Sequence, residues 1–188
     1  MRNFIPVLLL LICAGAARAG SLEDQLLSAV RICHFDLVEK LIAKGADVNA
    51  PHGGGRTVLI AAIRRSCSGG GTSATPDIVG FLLEKNANIN AQDEAGRTAL
   101  MEAVVKGDLY FVRLLLERKP DVNLKDNSGQ TALLEAVERK NSAVVRLLLD
   151  KGADPGIANA KGEAPVDIAR RNHSMDIVAM LTAPRPSH

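Results

Sequence analysis

The chain has no tryptophan and a single tyrosine among its 188 residues. Four phenylalanines are the only other aromatic rings, so burial must come from aliphatic side chains. Three cysteines, Cys13, Cys33 and Cys67, are too few for the disulfide framework of a small secreted domain. The four histidines, His34, His52, His173 and His188, show no zinc-ligand spacing with each other or with cysteine, so no metal is expected. A Gly-x-x-x-x-Gly-Lys-Ser/Thr loop is also missing: Gly53-Gly54-Gly55 has no lysine behind it and no strand leading into it. No nucleotide or other cofactor is therefore expected. An excess of one charge is missing too. Lys and Arg number 23 against 21 Asp and Glu, and Arg2 and Arg18 fall in the first nineteen residues, so the remainder is formally neutral. Neutrality gives no electrostatic case for nucleic acid or anionic lipid.

What is present begins with a basic Met1-Arg2-Asn3, an apolar stretch from Phe4 to Ala17 and the small-residue pattern Ala17-Arg18-Ala19. That stretch is short for a bilayer span and reads as a cleaved signal peptide, residues 1–19, with export as its consequence. Lipidation at Cys13 is the alternative, opposed by bulky Leu11 and Ile12 before it. No later apolar run is long enough to span, so no membrane-spanning segment is expected in the exported product.

The rest of the chain is a repeat. Gly96-Arg97-Thr98-Ala99-Leu100-Met101-Glu102-Ala103 returns thirty-three residues later as Gly129-Gln130-Thr131-Ala132-Leu133-Leu134-Glu135-Ala136, and again as Gly162 to Ala169. Upstream, Gly55-Arg56-Thr57-Val58-Leu59-Ile60-Ala61-Ala62 lies forty-one residues before the first of these, one period plus eight inserted residues. Asp24 to Ala29 makes a fifth register. The second half repeats as well, with Asp36 to Asn49 matching Asp77 to Asn90, Tyr110 to Asn123 and Ala143 to Gly156. A period near 33 marks a stacked supersecondary unit rather than one closed core.

These registers resemble the ankyrin-repeat family, with its Thr-Pro-Leu-His-x-Ala and Leu-Leu-x-x-Gly-Ala-Asp-x-Asn signatures. The resemblance implies an all-α solenoid of five helix-turn-helix repeats with short β-hairpin fingers. The repeats fall at about 21–52, 53–93, 94–126, 127–159 and 160–182, within a domain of 20–182, and 183–188 is a disordered tail. Two departures stand out. The signature His is replaced by Ile60, Met101, Leu134 and Asp167, where apolar packing is expected instead, and Gly-Ala becomes Lys119-Pro120 in the third unit. Pro120 disfavours helix at Lys119, so a different helix end and a local change in the next finger are expected.

Thr57, Thr98 and Thr131 sit where a hydroxyl can cap an inner helix, and Ala62, Ala103, Ala136 and Ala169 are small where helices must approach closely. Tyr110 falls on an outer helix and is expected to be exposed. The Ser/Gly/Thr-rich insertion at 66–75 reads as a surface loop. Cys33 ends the first helix of the first unit, and Cys67 lies one residue beyond the equivalent place in the second and opens the insertion. Neighbouring repeats stack about 10 Å apart, beyond the roughly 7 Å reach between bridged Cα atoms, so a bridge needs the insertion to bend back.

A catalytic reading fails on geometry. Cys33 and His34 are adjacent, and adjacent helical side chains do not face each other. The resemblance instead implies a non-enzymatic, monomeric protein-binding module whose concave face is formed by finger tips and inner helices. On this chain those positions are Arg56, Arg65, Glu94, Arg97, Glu102, Lys106, Asn127, Gln130, Glu135 and Arg139. Arg56 and Arg97 stack with Gln130 as a basic strip, and Glu102 with Glu135 as an acidic rung. Small exported ankyrin proteins further imply a periplasmic location, or secretion, with a role as immunity-type inhibitor of a toxic effector or as scaffold for an envelope or oxidative-stress enzyme.

Overall fold

The computed structural model describes residues 20–65 and 77–183. The expected signal peptide at 1–19, the insertion at 66–75 with Cys67, and residues 184–188 of the tail lie outside the described residues.

Among the described residues the chain forms ten helices in five antiparallel pairs. The inner helices are α1 (Leu22–Arg31), α3 (Val58–Arg65), α5 (Ala99–Lys106), α7 (Ala132–Glu138) and α9 (Pro165–Arg171). The outer helices are α2 (Phe35–Ala43), α4 (Ile78–Glu84), α6 (Leu109–Glu117), α8 (Ser142–Asp150) and α10 (Met175–Thr182). None of these helices is long and apolar enough to cross a membrane. Each inner helix approaches the next inner helix more closely than successive outer helices approach each other, which bends the stack toward the inner side. The small residues make this approach fit: Ala29, Ala62, Ala103, Ala136 and Ala169 are all fully buried.

Helix starts follow from hydroxyls and short polar side chains. Thr98 and Thr131 Oγ1 each accept from the backbone N–H three residues on, at 3.2 Å, and Thr57 does so at 3.5 Å. The last unit has Ala164 at this place and a different solution. Pro165 opens α9, and the Asp167 carboxylate reaches back to the Ala164 N–H at 3.1 Å. Apolar packing at the signature-His register therefore holds for buried Ile60, Met101 and Leu134 but not for Asp167, which is exposed and caps its own helix. Outer helices start at His34, Asp77, Asp108 and Asn141, each accepting a backbone N–H of the first turn. Helix α4 starts late. Asp77 stands at the register of Tyr110, one residue inside the helix in the third unit, so the second outer helix has seven residues where α6 has nine.

The outer helices end alike, contrary to expectation for the third unit. Gly45, Asn86 and Gly152 have φ of 96°, 62° and 87°, and Lys119 adopts the same left-handed conformation at 52°. Pro120 does change one bond. Ala46, Ala87 and Ala153 donate their N–H to Leu41, Leu82 and Leu148, and proline has none to give, so the Leu115 carbonyl keeps only the Arg118 N–H, the counterpart of the Lys44 and Lys151 bonds that Leu41 and Leu148 also accept. The finger beyond is not altered: the Asp121 N–H meets Asn90 Oδ1 at 2.9 Å just as the Asp154 N–H meets Asn123 Oδ1 at 2.8 Å.

The fingers are tighter than β-hairpins. Among the described residues no strand forms, and each finger closes on one antiparallel rung: His52 to Arg56, Asp93 to Arg97, Asp126 to Gln130 and Asn159 to Glu163. Successive fingers are tied by Glu94 N–H to Gly54 O, Asn127 N–H to Ala95 O and Ala160 N–H to Ser128 O. Gly129 has a second reason to lack a Cβ besides its φ of 73°: that atom would sit 2.6 Å from the Ala160 nitrogen.

The buried side chains form one continuous cluster along the stack. Phe111, Leu59, Ile60, Leu82, Leu115, Leu133, Leu148 and Ile177 are fully covered, each worth about 1.5–3 kcal/mol of apolar burial, within repeats and between them.

Candidate partner-binding face

Of the residues expected on the concave face, six are exposed or half-buried at its surface. Arg65, Glu94, Lys106, Asn127 and Arg139 are exposed, and Arg56 is half-buried with Nε donating to Gly53 O at 3.2 Å. Glu94 and Asn127 are finger tips, joined where Asn127 Nδ2 donates to Glu94 O at 2.8 Å. No large apolar side chain is exposed along these fingers and inner-helix faces among the described residues. Ile32, Leu109, Tyr110 and Met175 lie instead at the turns between inner and outer helices or at outer-helix starts. The exposed surface of this face is therefore polar.

The other four side chains are committed to the solenoid itself, which corrects the expected basic strip and acidic rung. The Arg97 side chain is only 22% exposed. Its Nε pairs with Glu102 at 2.7 Å, and its Nη1 lies 3.5 Å from Asp126 and 4.0 Å from Glu135. Glu102 is also 3.6 Å from Arg64, and Glu135 takes Arg139 Nε at 2.7 Å. The signs alternate across three repeats as Arg64, Glu102, Arg97, Glu135, Arg139, with Asp126 as the third carboxylate. Three guanidiniums face three carboxylates, and the ladder is neutral. Burial alone pulls the Arg97 pKa down, but the bond and charge of Glu102, then the charges of Glu135 and Asp126, outweigh it and hold it above the ordinary arginine value. Gln130 is internal too: Nε2 donates to Glu138 Oε1 at 2.9 Å, and its buried Oε1 has no partner.

Tyr110 is half exposed, yet it is not idle. Its hydroxyl donates to Asp77 Oδ2 at 2.6 Å, bracing the second outer helix against the third. That bond, with partial burial and the charges of Asp77, Asp108 and Glu117, pushes the phenol pKa up to about 12.

Cys33 and His34 have structural roles. Cys33 sits at the turn between α1 and α2 with φ 54° and is disulfide-bonded, its partner lying outside the described residues. His34 Nδ1 accepts the Leu37 N–H at 3.3 Å. Among the described residues no group of three or more His, Cys, Asp or Glu is placed to hold a metal.

Residue-level reading of the sequence did not single out a pocket between the first two repeats. It is lined by Leu27, Arg31, His52, Gly53, Arg56, Ala61, Arg64 and Arg65 and has a volume of about 450 Å³. Arg31 comes to it from the first repeat and Arg56, Arg64 and Arg65 from the second, so their meeting shows only in the folded chain.

The family model described as Ankyrin repeats (3 copies) matches the chain over residues 26–126, 70–159 and 119–186. No curated protein matches it.

Proposed function

Because the chain belongs to the ankyrin-repeat family, whose repeats are generally protein–protein interaction modules, we propose that it is a non-enzymatic binder that docks a partner protein on its concave face. The observation that carries this reading is the division of labour along that face. Arg97, Glu102 and Glu135 pair with one another and Gln130 with Glu138 inside the stack, while Arg56, Arg65, Glu94, Lys106, Asn127 and Arg139 reach its surface on elements joined from repeat to repeat. A rigid support spares the cost of ordering the backbone when a partner docks, leaving only that of the side chains. The partner is met through complementary charge and hydrogen bonds, because large apolar side chains are absent from these positions.

We further propose that the protein acts after export, in a periplasm or outside the cell. The leader pattern of residues 1–19 supports this, as does a disulfide at Cys33, since such bonds persist in oxidising compartments. Cys67 is the proposed partner of Cys33. Intact-mass measurement of the protein recovered from its host tests both points: an amino terminus at Gly20 and a mass two hydrogens short are expected, and a retained leader would refute export by this route.

Docking is tested by affinity capture with the purified protein, with Arg65→Glu/Lys106→Glu on the concave face and Arg113→Glu/Arg146→Glu on the outer helices as paired variants. One stoichiometric protein lost only with the first pair is expected. A captured protein indifferent to the first pair, or lost only with the second, would refute the concave face as its site.

A further inference from the structure

The pocket between the first two repeats departs from the ionic pattern of the rest of the stack. In the third unit Arg97 is met by Glu102 from its own inner helix, and in the fourth Glu135 occupies the register of Glu102 and closes on Arg139. In the second unit Arg56 stands at the register of Arg97, but the residue at the register of Glu102 is Ala61. The carboxylate is replaced by a methyl group, and the space it leaves is part of the pocket that Ala61 and Arg56 both line.

Around that space the cations accumulate. Arg31, Arg56, Arg64 and Arg65 all line the pocket. Arg64 has a share of Glu102 at 3.6 Å, a carboxylate held more closely by Arg97 at 2.7 Å. Among the described residues the other three guanidiniums have no carboxylate partner; Arg56 and Arg65 donate only to the carbonyls of Gly53 and Arg31, which leave their charge uncompensated.

His52 supplies an independent sign of an unfilled site. It occupies the register of Asp93, Asp126 and Asn159, whose side-chain oxygens each accept two backbone N–H groups to close their fingers. An imidazole does not do this. His52 lines the pocket; its side chain is 5% exposed, its Nδ1 is 3.9 Å from Asp24, and its Nε2 is buried without a hydrogen-bond partner. A buried polar atom left unmet is costly, and several guanidiniums crowded together repel.

From these observations we propose that the pocket is a binding site for a compact polyanion, two or more carboxylate or phosphate groups held close together, whose oxyanions take the place of the carboxylate that Ala61 lacks. Arginine forks match both chemistries through paired N–H donors. The volume of about 450 Å³ falls within the range of small-ligand pockets. The source of the anion is either a free small molecule or the clustered acidic side chains of a bound polypeptide.

The test is calorimetric titration of the full chain at low salt with three probes: pyrophosphate, citrate and a triglutamate peptide, with acetate as the monovalent comparison. One-to-one saturable binding of at least one probe is expected, and the tightest of the three identifies the source. Ala61→Glu restores the carboxylate found in the next two repeats and should weaken that binding by at least about tenfold, as should Arg31→Gln, an exposed change that leaves the fold intact. Arg113→Gln/Arg146→Gln on the outer helices removes more positive charge than either and should leave binding unchanged. The proposal is overturned if no probe saturates. It is equally overturned if the outer-helix variant loses as much affinity as the other two, which marks diffuse attraction only, or if Ala61→Glu and Arg31→Gln, both with wild-type circular dichroism, bind as the parent does.

Discussion

Replacing Arg97 with methionine keeps the unbranched stem of the side chain and removes its guanidinium, so the loss it causes measures mainly the ion-pair ladder rather than a packing defect. Three carboxylates lose their central cation: Glu102, Asp126 and Glu135, whose side chains are 8%, 8% and 14% exposed. Arg64 is the only other cation near Glu102, at 3.6 Å, and Arg139 the only one on Glu135 among the described residues. Removing one partner from a fully buried ion pair costs about 3–5 kcal/mol, and a guanidinium with 22% of its surface in water loses less, so about 2–4 kcal/mol is expected. With a urea slope of about 1–3 kcal/mol per molar, the midpoint of denaturation should fall by roughly 1–2 M. Thermal midpoints should fall by about 5–15 °C for a chain of this size. Glu102→Gln in the Arg97→Met background should recover part of this, with a coupling energy of about 0.5–3 kcal/mol. A change within about 0.5 kcal/mol, the ordinary range for surface substitutions, would refute the assignment of Arg97 to the interior of the stack and return it to the docking face.

Ala136→Leu places extra methylenes in the closest approach of α7 to its neighbours and should cost about 1–3 kcal/mol in the same denaturation assay, an unchanged midpoint meaning that the helix–helix contact lies elsewhere. Lys119→Gly removes the side-chain penalty of a left-handed residue, about 1–2 kcal/mol, against a glycine entropy cost of about 0.5–1 kcal/mol, so a net gain of about 0.5–1 kcal/mol should appear as a higher midpoint. Tyr110 is the only tyrosine, so tyrosinate absorbance reports it alone, and ionisation near pH 12 is expected, with Asp77→Asn moving it back toward about 10. Because the folded pKa is raised, the stabilisation linked to the phenol proton is complete below the unfolded value of about 10 and is lost as pH climbs through about 12; a titration midpoint near 10 in the parent protein would show that the bond to Asp77 is not formed.

The order of helices and turns was legible in the chain because each unit carries its own local instructions. Hydroxyls at Thr98 and Thr131 cap, glycines at Gly96 and Gly129 turn, and alanines at Ala103 and Ala136 let helices approach, each at one register of the repeat. Repetition of the same pattern is evidence that no single residue provides. The departures were less legible where backbone and side chain compete. Pro120 suggested a different helix end, but the conformation of Lys119 is set by the same docking of finger onto finger as in the other units, and proline costs one hydrogen bond without redirecting the chain.

The sequence by itself determined the period, the helical face that each repeat buries and the register of every candidate side chain, because those depend on spacing along one chain. Only the tertiary structure decided which of those side chains remain at the surface. Arg97 and Arg56 occupy the same register and look interchangeable in a row of letters. Their difference lies in what surrounds them: for Arg97, Glu102 from the inner helix that follows it, with Asp126 at the start of the next finger and Glu135 from the next inner helix; for Arg56, Ala61 and the arginines of α1 and α3. Charge compensation acts over a few ångströms in space: Glu102 and Ala61, each five residues on, can be read in the chain, but Asp126 and Glu135 reach Arg97, and Arg31 reaches the pocket of Arg56, only when the repeats stack.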